Sequence, residues 1–353
     1  MNAPFAHDAD GVRLADLHDP GEAARIERFV AGQQDGTVFH RPAWLMAVEQ
    51  GTGQDAMGLV AERGGEITGW LPLTELHSPI FGRALVSSGF AVGGGVLADS
   101  DATALRLATI AEELALRRSC ATVELRGGAL PWHWSIRRDS HCGFTAPLAH
   151  DDDAQLLAIP RKQRAEVRKG LQQDYAVAVG TGEADREAHY AVYAESVRNL
   201  GTPVFPRALF DAVLDRMDAD ILTIRYRGQA VASVLSLYHR GAVLPYWGGG
   251  VFAARALRAN DVMYYELMRH ARQRGCTVFD FGRSKTGSGA YHFKRNWGFE
   301  PAPLSYASWT AAGQPQRDAD PTSARHTTRI ALWKRLPLPI ANRLGPWIAR
   351  GLG

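Results

Sequence analysis

Arg225-Tyr-Arg-Gly-Gln-Ala-Val-Ala-Ser-Val-Leu-Ser-Leu237 reads as a strand, a tight turn and a second strand. An Arg-Gly-Gln break between two β-type runs marks an antiparallel hairpin. Gly248-Gly249-Gly250 follows. A helical stretch runs from Asn260 to Arg274. After Cys276 comes a buried-looking strand, Thr277-Val-Phe-Asp-Phe281. A helix joining two strands lets them run parallel. The expected product is a mixed sheet with helices on its faces.

The same order occurs earlier in the chain. Glu62-Arg-Gly-Gly-Glu-Ile-Thr-Gly-Trp-Leu-Pro-Leu73 gives strand, turn and strand, and Gly93-Gly94-Gly95 follows. Ala104 to Arg118 reads as a helix, and Ala121-Thr-Val-Glu-Leu125, after Cys120, as the buried strand. Gly94 and Gly249 are 155 positions apart, Cys120 and Cys276 are 156 apart, and Gly65 and Gly228 are 163 apart. The first hairpin region is thus the longer one. Such a spacing is far too long for a solenoid repeat and reads as a duplicated domain. The expectation is an α/β (α+β) chain with two mixed-sheet domains at 1–150 and 151–310. Residues 311–353 are a linker and tail. His150-Asp-Asp-Asp153 marks the junction, with Asp153 placed to cap the next helix.

Composition bounds the function. With 353 residues, 46% apolar and 22% charged, the chain has the make-up of a two-domain globular protein. A net charge of +3 is too small for general nucleic-acid binding. The start, with Asp8 and Asp10, has no secretory pattern. No stretch approaches the roughly 18 apolar residues of a membrane span. Cys120, Cys142 and Cys276 are scattered and odd in number, which points away from disulfides and toward a reducing cytoplasm. His133, His141 and Cys142 come nearest to a cluster but match no zinc spacing, so no metal is expected.

The tail has a chemistry of its own. Ala311 to Ser323 is rich in Pro, Gly, Asp and Gln, as in a linker. Arg325 to Arg350 carries six Lys or Arg residues and no acid. Ile340, Leu344, Trp347 and Ile348 share one helical face. Gly345-Pro346 is expected to interrupt that helix. The segment reads either as a tail packed on the body or as an element for an anionic membrane surface.

Reactive chemistry gathers in Phe279-Asp-Phe-Gly-Arg-Ser-Lys-Thr-Gly-Ser-Gly-Ala-Tyr-His-Phe-Lys-Arg-Asn-Trp-Gly-Phe299. A strand ends at Phe281, a loop with three glycines follows, and a short helix begins near Ala290. Loop N–H groups and a helix N-terminus favour an anion. Lys294 and Arg295 add positive charge for phosphates or for an oxyanion of acyl transfer. Gly282-Arg-Ser-Lys-Thr-Gly287 lacks the order of a Walker A loop, and no G-x-S-x-G elbow is present. Asp280, Tyr291 and His292 are candidates for proton handling or contact in the same cleft. Arg161, Lys162, Arg164, Arg168 and Lys169 form a basic helix suited to phosphates. The first half has Glu124-Leu-Arg-Gly-Gly128 opposite Asp280-Phe-Gly-Arg-Ser284 and no Phe-Lys pair, so transfer is expected in the second half.

Asp280-Phe-Gly282 with Tyr291-His-Phe-Lys-Arg-Asn-Trp-Gly-Phe299 resembles the closing motif of the FemAB and FemX peptidyltransferases. Asn260, Tyr264, Tyr265 and Glu266 resemble that family's aromatic-Glu helix, and Ile159 to Lys169 its basic helix. With its Pro-Leu-Pro basic tail, the chain is most similar to the FemAB-like proteins of exosortase/PEP-CTERM systems. The resemblance covers roughly residues 20–310. It implies tandem GNAT-like acyltransferase domains and transfer of an aminoacyl group from aminoacyl-tRNA to an amine of an envelope precursor. It implies charge stabilisation by Lys294. The candidate substrate contacts are Arg164, Arg168, Asn260, Glu266, Arg283, Ser284 and His292. Asp280 and Tyr291 join Lys294 as catalytic candidates. Ala254-Arg-Ala-Leu-Arg-Ala-Asn260 departs from the glycine-bearing acyl-CoA loop of GNAT proteins.

The expected activity is N-acyl or aminoacyl transfer to an amine of a cell-envelope or exopolysaccharide-related precursor. The alternatives are an acyl-CoA-dependent N-acetyltransferase and a non-catalytic module for a phosphate-bearing glycan or lipid carrier. No tightly bound cofactor is expected. The donor, aminoacyl-tRNA or acyl-CoA, acts as a co-substrate. The expected location is cytoplasmic, with a peripheral contact at the inner membrane face through the tail.

Overall fold

The computed structural model describes residues 11–315, 317 and 327–353. Asp8 and Asp10, the linker residues 318–323 and Arg325 lie outside the described residues. The chain forms two compact units. One takes the chain up to Arg138 with Ser305–Asp320 and Trp347–Gly353. The other takes Asp139–Leu304 and Pro321–Pro346.

In the first unit the order is β1 (Val12–Leu14), α1 (Pro20–Gly32), α2 (Pro42–Thr52), β2 (Asp55–Arg63), β3 (Glu66–Ser78), β4 (Gly82–Ser87), β5 (Leu97–Ala98), α3 (Asp101–Arg117), β6 (Thr122–Arg126) and β7 (Ser135–Arg137). The second unit begins with β8 (His141–Pro147), α4 (Asp152–Ala158), α5 (Arg161–Leu171), β9 (Tyr175–Gly180), α6 (Glu183–Leu200) and α7 (Arg207–Arg216). It continues with β10 (Ala219–Tyr226), β11 (Gln229–His239), β12 (Ala242–Gly250), α8 (Ala254–Leu257), α9 (Ala259–Gln273), β13 (Val278–Lys285), α10 (Gly289–Asn296) and β14 (Pro301–Pro303). β15 (Tyr306–Thr310) belongs to the first unit. α11 (Thr327–Arg335) and α12 (Leu338–Ala349) close the chain.

The two sheets have matching strand orders. The first runs β1-β2-β3-β4-β6-β15-β7, with β5 attached to β3. The second runs β9-β10-β11-β12-β13-β8-β14. β4 and β6 pair in parallel, as do β12 and β13, and all other neighbours are antiparallel. Both hairpins turn on two residues with positive φ, Gly64-Gly65 and Arg227-Gly228. That is the primed geometry that matches strand twist. Each hairpin also shifts register two residues before its turn, at Ala61/Glu62 and at Ile224/Arg225.

The sequence reading placed the boundary at residue 150, and the sheets move it to 138/139. β8 pairs with β13, from Val278↔Pro147 to Lys285↔His141. It therefore belongs to the second sheet, where Phe144 is fully buried in the core. β15 returns instead to β6 and β7 in the first sheet. Each sheet thus takes its sixth strand from beyond the other's stretch of chain. Two further details differ. Gly248-Gly250 ends β12, whereas Gly93-Gly95 lies in a loop beyond β4. Asp151, not Asp153, caps α4, because its Oδ1 accepts from Ala154 N at 2.7 Å. Cys120, Cys142 and Cys276 are all free and buried. Among the described residues no helix is long and apolar enough to cross a membrane.

Candidate functional site

The parallel register of β12 with β13 covers two pairs, Ala242↔Val278 and Val243↔Phe279. β12 then runs on to Gly250 and β13 to Lys285. In open sheets, ligands bind in the crevice at the carboxyl ends of such strands. Both strands are irregular there. β12 shifts register against β11, so that Leu235 faces Trp247 and Ser236 faces Pro245. β13 shifts against β8 between Asp280 and Arg283. Bulges of this kind re-aim side chains and cluster beside active sites.

Gly282 makes the second irregularity. It adopts φ 67°, a conformation that a side chain disfavours. Its N–H donates to Asp280 Oδ1 at 2.9 Å, and Thr145 on β8 bonds the same carboxyl. Burial raises the Asp280 pKa, while the Gly282 N–H and the Lys294 charge oppose the rise.

Ser288 starts α10 by accepting from Tyr291 N at 3.2 Å. The helix turns Lys294 inward, where it is only 9% exposed. Lys294 Nζ donates to Arg283 O at 2.8 Å. It lies 5.4 Å from the ring centres of Phe144 and Phe281. Burial pushes its pKa down from 10.5 to about 8. The Asp280 carboxylate opposes that shift and the Arg283 charge adds to it. An ammonium with such a pKa can stabilise growing negative charge when protonated and take up a proton when neutral.

The other candidates divide. Tyr291 lies nearly one turn before Lys294 on the same helical side and meets Phe144 edge-on, with centroids 5.5 Å apart. Arg283 lends its carbonyl to Lys294. Ser284 is buried, and its hydroxyl has no hydrogen-bond partner among the described residues. Asn260 sits in the first turn of α9 with its Oδ1 buried and without a hydrogen-bond partner among the described residues. A Cβ placed on Gly250 would come 2.6 Å from that oxygen, so the amide lies against the end of β12.

His292 is exposed on the outer side of α10. Glu266 pairs with Arg269 at 2.9 Å, and Arg269 reaches Asp152. Tyr264, two positions earlier and so on nearly the opposite side of α9, stacks edge-on against Phe281 at 4.7 Å. The helix that brings Tyr264 to the cleft therefore turns Glu266 away from it. Arg164 donates to Leu157 O at 3.3 Å, and Arg168 is exposed on α5. α5 reaches α9 through Gln163 Nε2 and Asp261 Oδ1 at 2.6 Å.

The sequence reading missed Phe144, Thr145 and the inward role of Tyr264. The first two precede the assumed boundary, and only the β8–β13 pairing assigns them to this site. The first unit differs in kind. Glu124, opposite Asp280 in the repeat, pairs with Arg126 at 2.9 Å. The chain between β6 and β7 forms no helix equivalent to α10 among the described residues. A cavity of about 670 Å³ opens there, floored by Gly93–Gly95, Gly127 and Gly128.

Residues 161–295 match the family model of the acetyltransferase (GNAT) domain, a span that holds the parted strands and Lys294. Solved structures extend the likeness to the whole fold. FemX aligns at 14% identity and TM-score 0.62, over 81% of this chain and 95% of its own. The C-terminal domain of a putative lysylphosphatidylglycerol synthetase from Agrobacterium fabrum aligns at 14% and 0.56, over 82% and 92%. A tandem GNAT protein from the clavulanic acid biosynthesis pathway aligns at 12% and 0.54, over 86% and 99%. At such identities the likeness is one of fold, and the fold here is a tandem of two mixed-sheet, GNAT-like units. No curated protein sequence matches the chain.

Proposed function

We propose that the chain is an N-acyltransferase that moves an aminoacyl or acyl group onto an amine of a cell-envelope or exopolysaccharide-related precursor. The observation that carries this reading is the buried Lys294 beside Asp280, where β12 and β13 part within the GNAT-matched span. The amine attacks the donor carbonyl carbon. A C–N bond forms, the ester or thioester bond breaks, the tRNA hydroxyl or CoA thiol leaves and takes up a proton, and the amine loses one. Charge grows on the carbonyl oxygen, and Lys294 stabilises it. Asp280, Tyr291 and the substrate itself are the candidates to receive the amine's proton.

The donor is read as aminoacyl-tRNA first and acyl-CoA second. Where a glycine loop would cradle a CoA pyrophosphate, Ala254–Leu257 forms the helical turn α8. Its side chains stand where such a loop needs bare backbone. The exposed cations of α5, among them Arg168, suit donor phosphates. The FemX and lysylphosphatidylglycerol synthetase neighbours support an envelope acceptor. The rival is a non-catalytic module for a phosphate-bearing glycan or lipid carrier.

The test incubates the full chain with charged tRNA or acyl-CoA donors and amine acceptors, and follows product by mass spectrometry. Lys294→Ala should lose about 10²–10³ in kcat, with KM changed much less and the circular dichroism spectrum kept. A folded variant with wild-type turnover removes Lys294 from the mechanism. Failure of every donor with wild-type protein that still binds an acceptor favours the binding module.

A further inference from the structure

α12 is folded inside out. Its small residues face inward: Ala341 is 2% exposed, Ala349 is 0%, and Gly345 is buried. Three of its large apolar residues face water, Ile340 at 46% exposed, Leu344 at 45% and Trp347 at 53%, while Leu338 and Ile348 are half-buried. The two sets recur at i, i+4 and i+7 or i+8, so each is one side of the helix. On α11, Leu332 is 66% exposed as well. A helix that only packed on the body would turn its large residues in. Gly345 and Pro346 do not break α12, which runs unbroken from Leu338 to Ala349. The ridge is therefore continuous.

The charges that the two helices themselves carry are of one sign. Lys334, Arg335, Arg343 and Arg350 are exposed on and beside these helices, and no acid occurs from Arg325 to Arg350. Two copies of such a face repel each other. A surface of negative charge over an apolar interior attracts the cations and accepts the ridge. An amphipathic helix of this make-up lies in the plane of a membrane surface, with its apolar side sunk to the acyl boundary.

We propose that α11 and α12 form a docking surface for anionic lipid, with Ile340, Leu344 and Trp347 as the inserted ridge and Arg343 and Arg350 at the headgroups. The inference does not rest on the transfer reading, since it concerns binding alone.

The test is sedimentation of the full chain with vesicles of phosphatidylglycerol and phosphatidylcholine, against phosphatidylcholine alone. The wild type should prefer the anionic vesicles, and raising the salt should weaken the binding. Leu344→Ser with Trp347→Ser should weaken it on the order of tenfold, as should Arg343→Glu. These side chains are exposed, so the fold should survive. Equal binding to both vesicle types overturns the proposal. So does anionic binding that the Leu344/Trp347 variant leaves intact, because cations alone then explain it. A wild-type dimer that this variant turns into a monomer assigns the ridge to a second copy and also overturns the proposal.

Discussion

Lys294 carries a charge at a place that resists charge. It is an α10 residue with two aromatic faces 5.4 Å away and one backbone carbonyl as acceptor. Its pKa falls from 10.5 to about 8 through burial, despite Asp280. The folded state therefore binds fewer protons than the unfolded chain between those values. Stability then rises with pH across that window. Below about pH 8 the cost of the buried ammonium is present in full. Lys294→Met removes it. The variant should melt above the wild type near pH 7, and the gap should close toward pH 10.5. A melting difference that stays constant over this range shows that Lys294 is not charged against its surroundings. The sequence singles out Phe293-Lys294 after a glycine loop, and the fold buries that lysine against Phe144 and Phe281. The fate of Glu266 was not. An aromatic-Glu pair says nothing of which residue the helix turns inward, and Arg269 and Asp152 settle that.

Among the elements, β8 shows best what local reading misses. Cys142-Gly-Phe-Thr145 lies in the first 150 residues, and nearness in sequence assigns it there. Strand partners are chosen by hydrogen bonds and buried surface rather than by nearness. The Phe144 ring is fully buried, meets Tyr291 at 5.5 Å and lies under Lys294. Phe144→Ala should cost about 3–5 kcal/mol of stability, read from urea unfolding. It should also disturb Lys294, although residue 144 lies outside the GNAT-matched span. A loss below about 1 kcal/mol would mean that the ring is not a core member. Hairpins and helices were the legible elements, because turn pairs and periodicity are local signals. In α12 the periodicity was legible, but not which side faces water. Ala341, Gly345 and Ala349 decide that through packing.

At the scale of the whole chain, the repeat was visible as offsets near 156, and the strand orders repeat position for position. The exchange of sixth strands was not visible. A period fixes which segments are equivalent, not which sheet each one joins. The exchange has a consequence for cutting the chain. Residues 139–304 hold all seven strands of the second sheet, β8 included. Residues 151–310 lack β8, which stands between β13 and β14. Without it, β13 loses the pairing that runs from Val278↔Pro147 to Lys285↔His141, and the core loses Phe144. An inner strand left bare exposes unpaired N–H and C=O groups along with apolar surface. The fragment 139–304 should therefore unfold cooperatively in urea with native near-ultraviolet circular dichroism. The fragment 151–310 should show neither, and it should tend to aggregate. Equal midpoints and slopes for the two fragments would show that β8 is dispensable to the second unit. The first unit permits no such cut. Its β15 comes from residues 306–310 and sits between β6 and β7, so a single contiguous piece of chain that omits the second unit cannot complete its sheet.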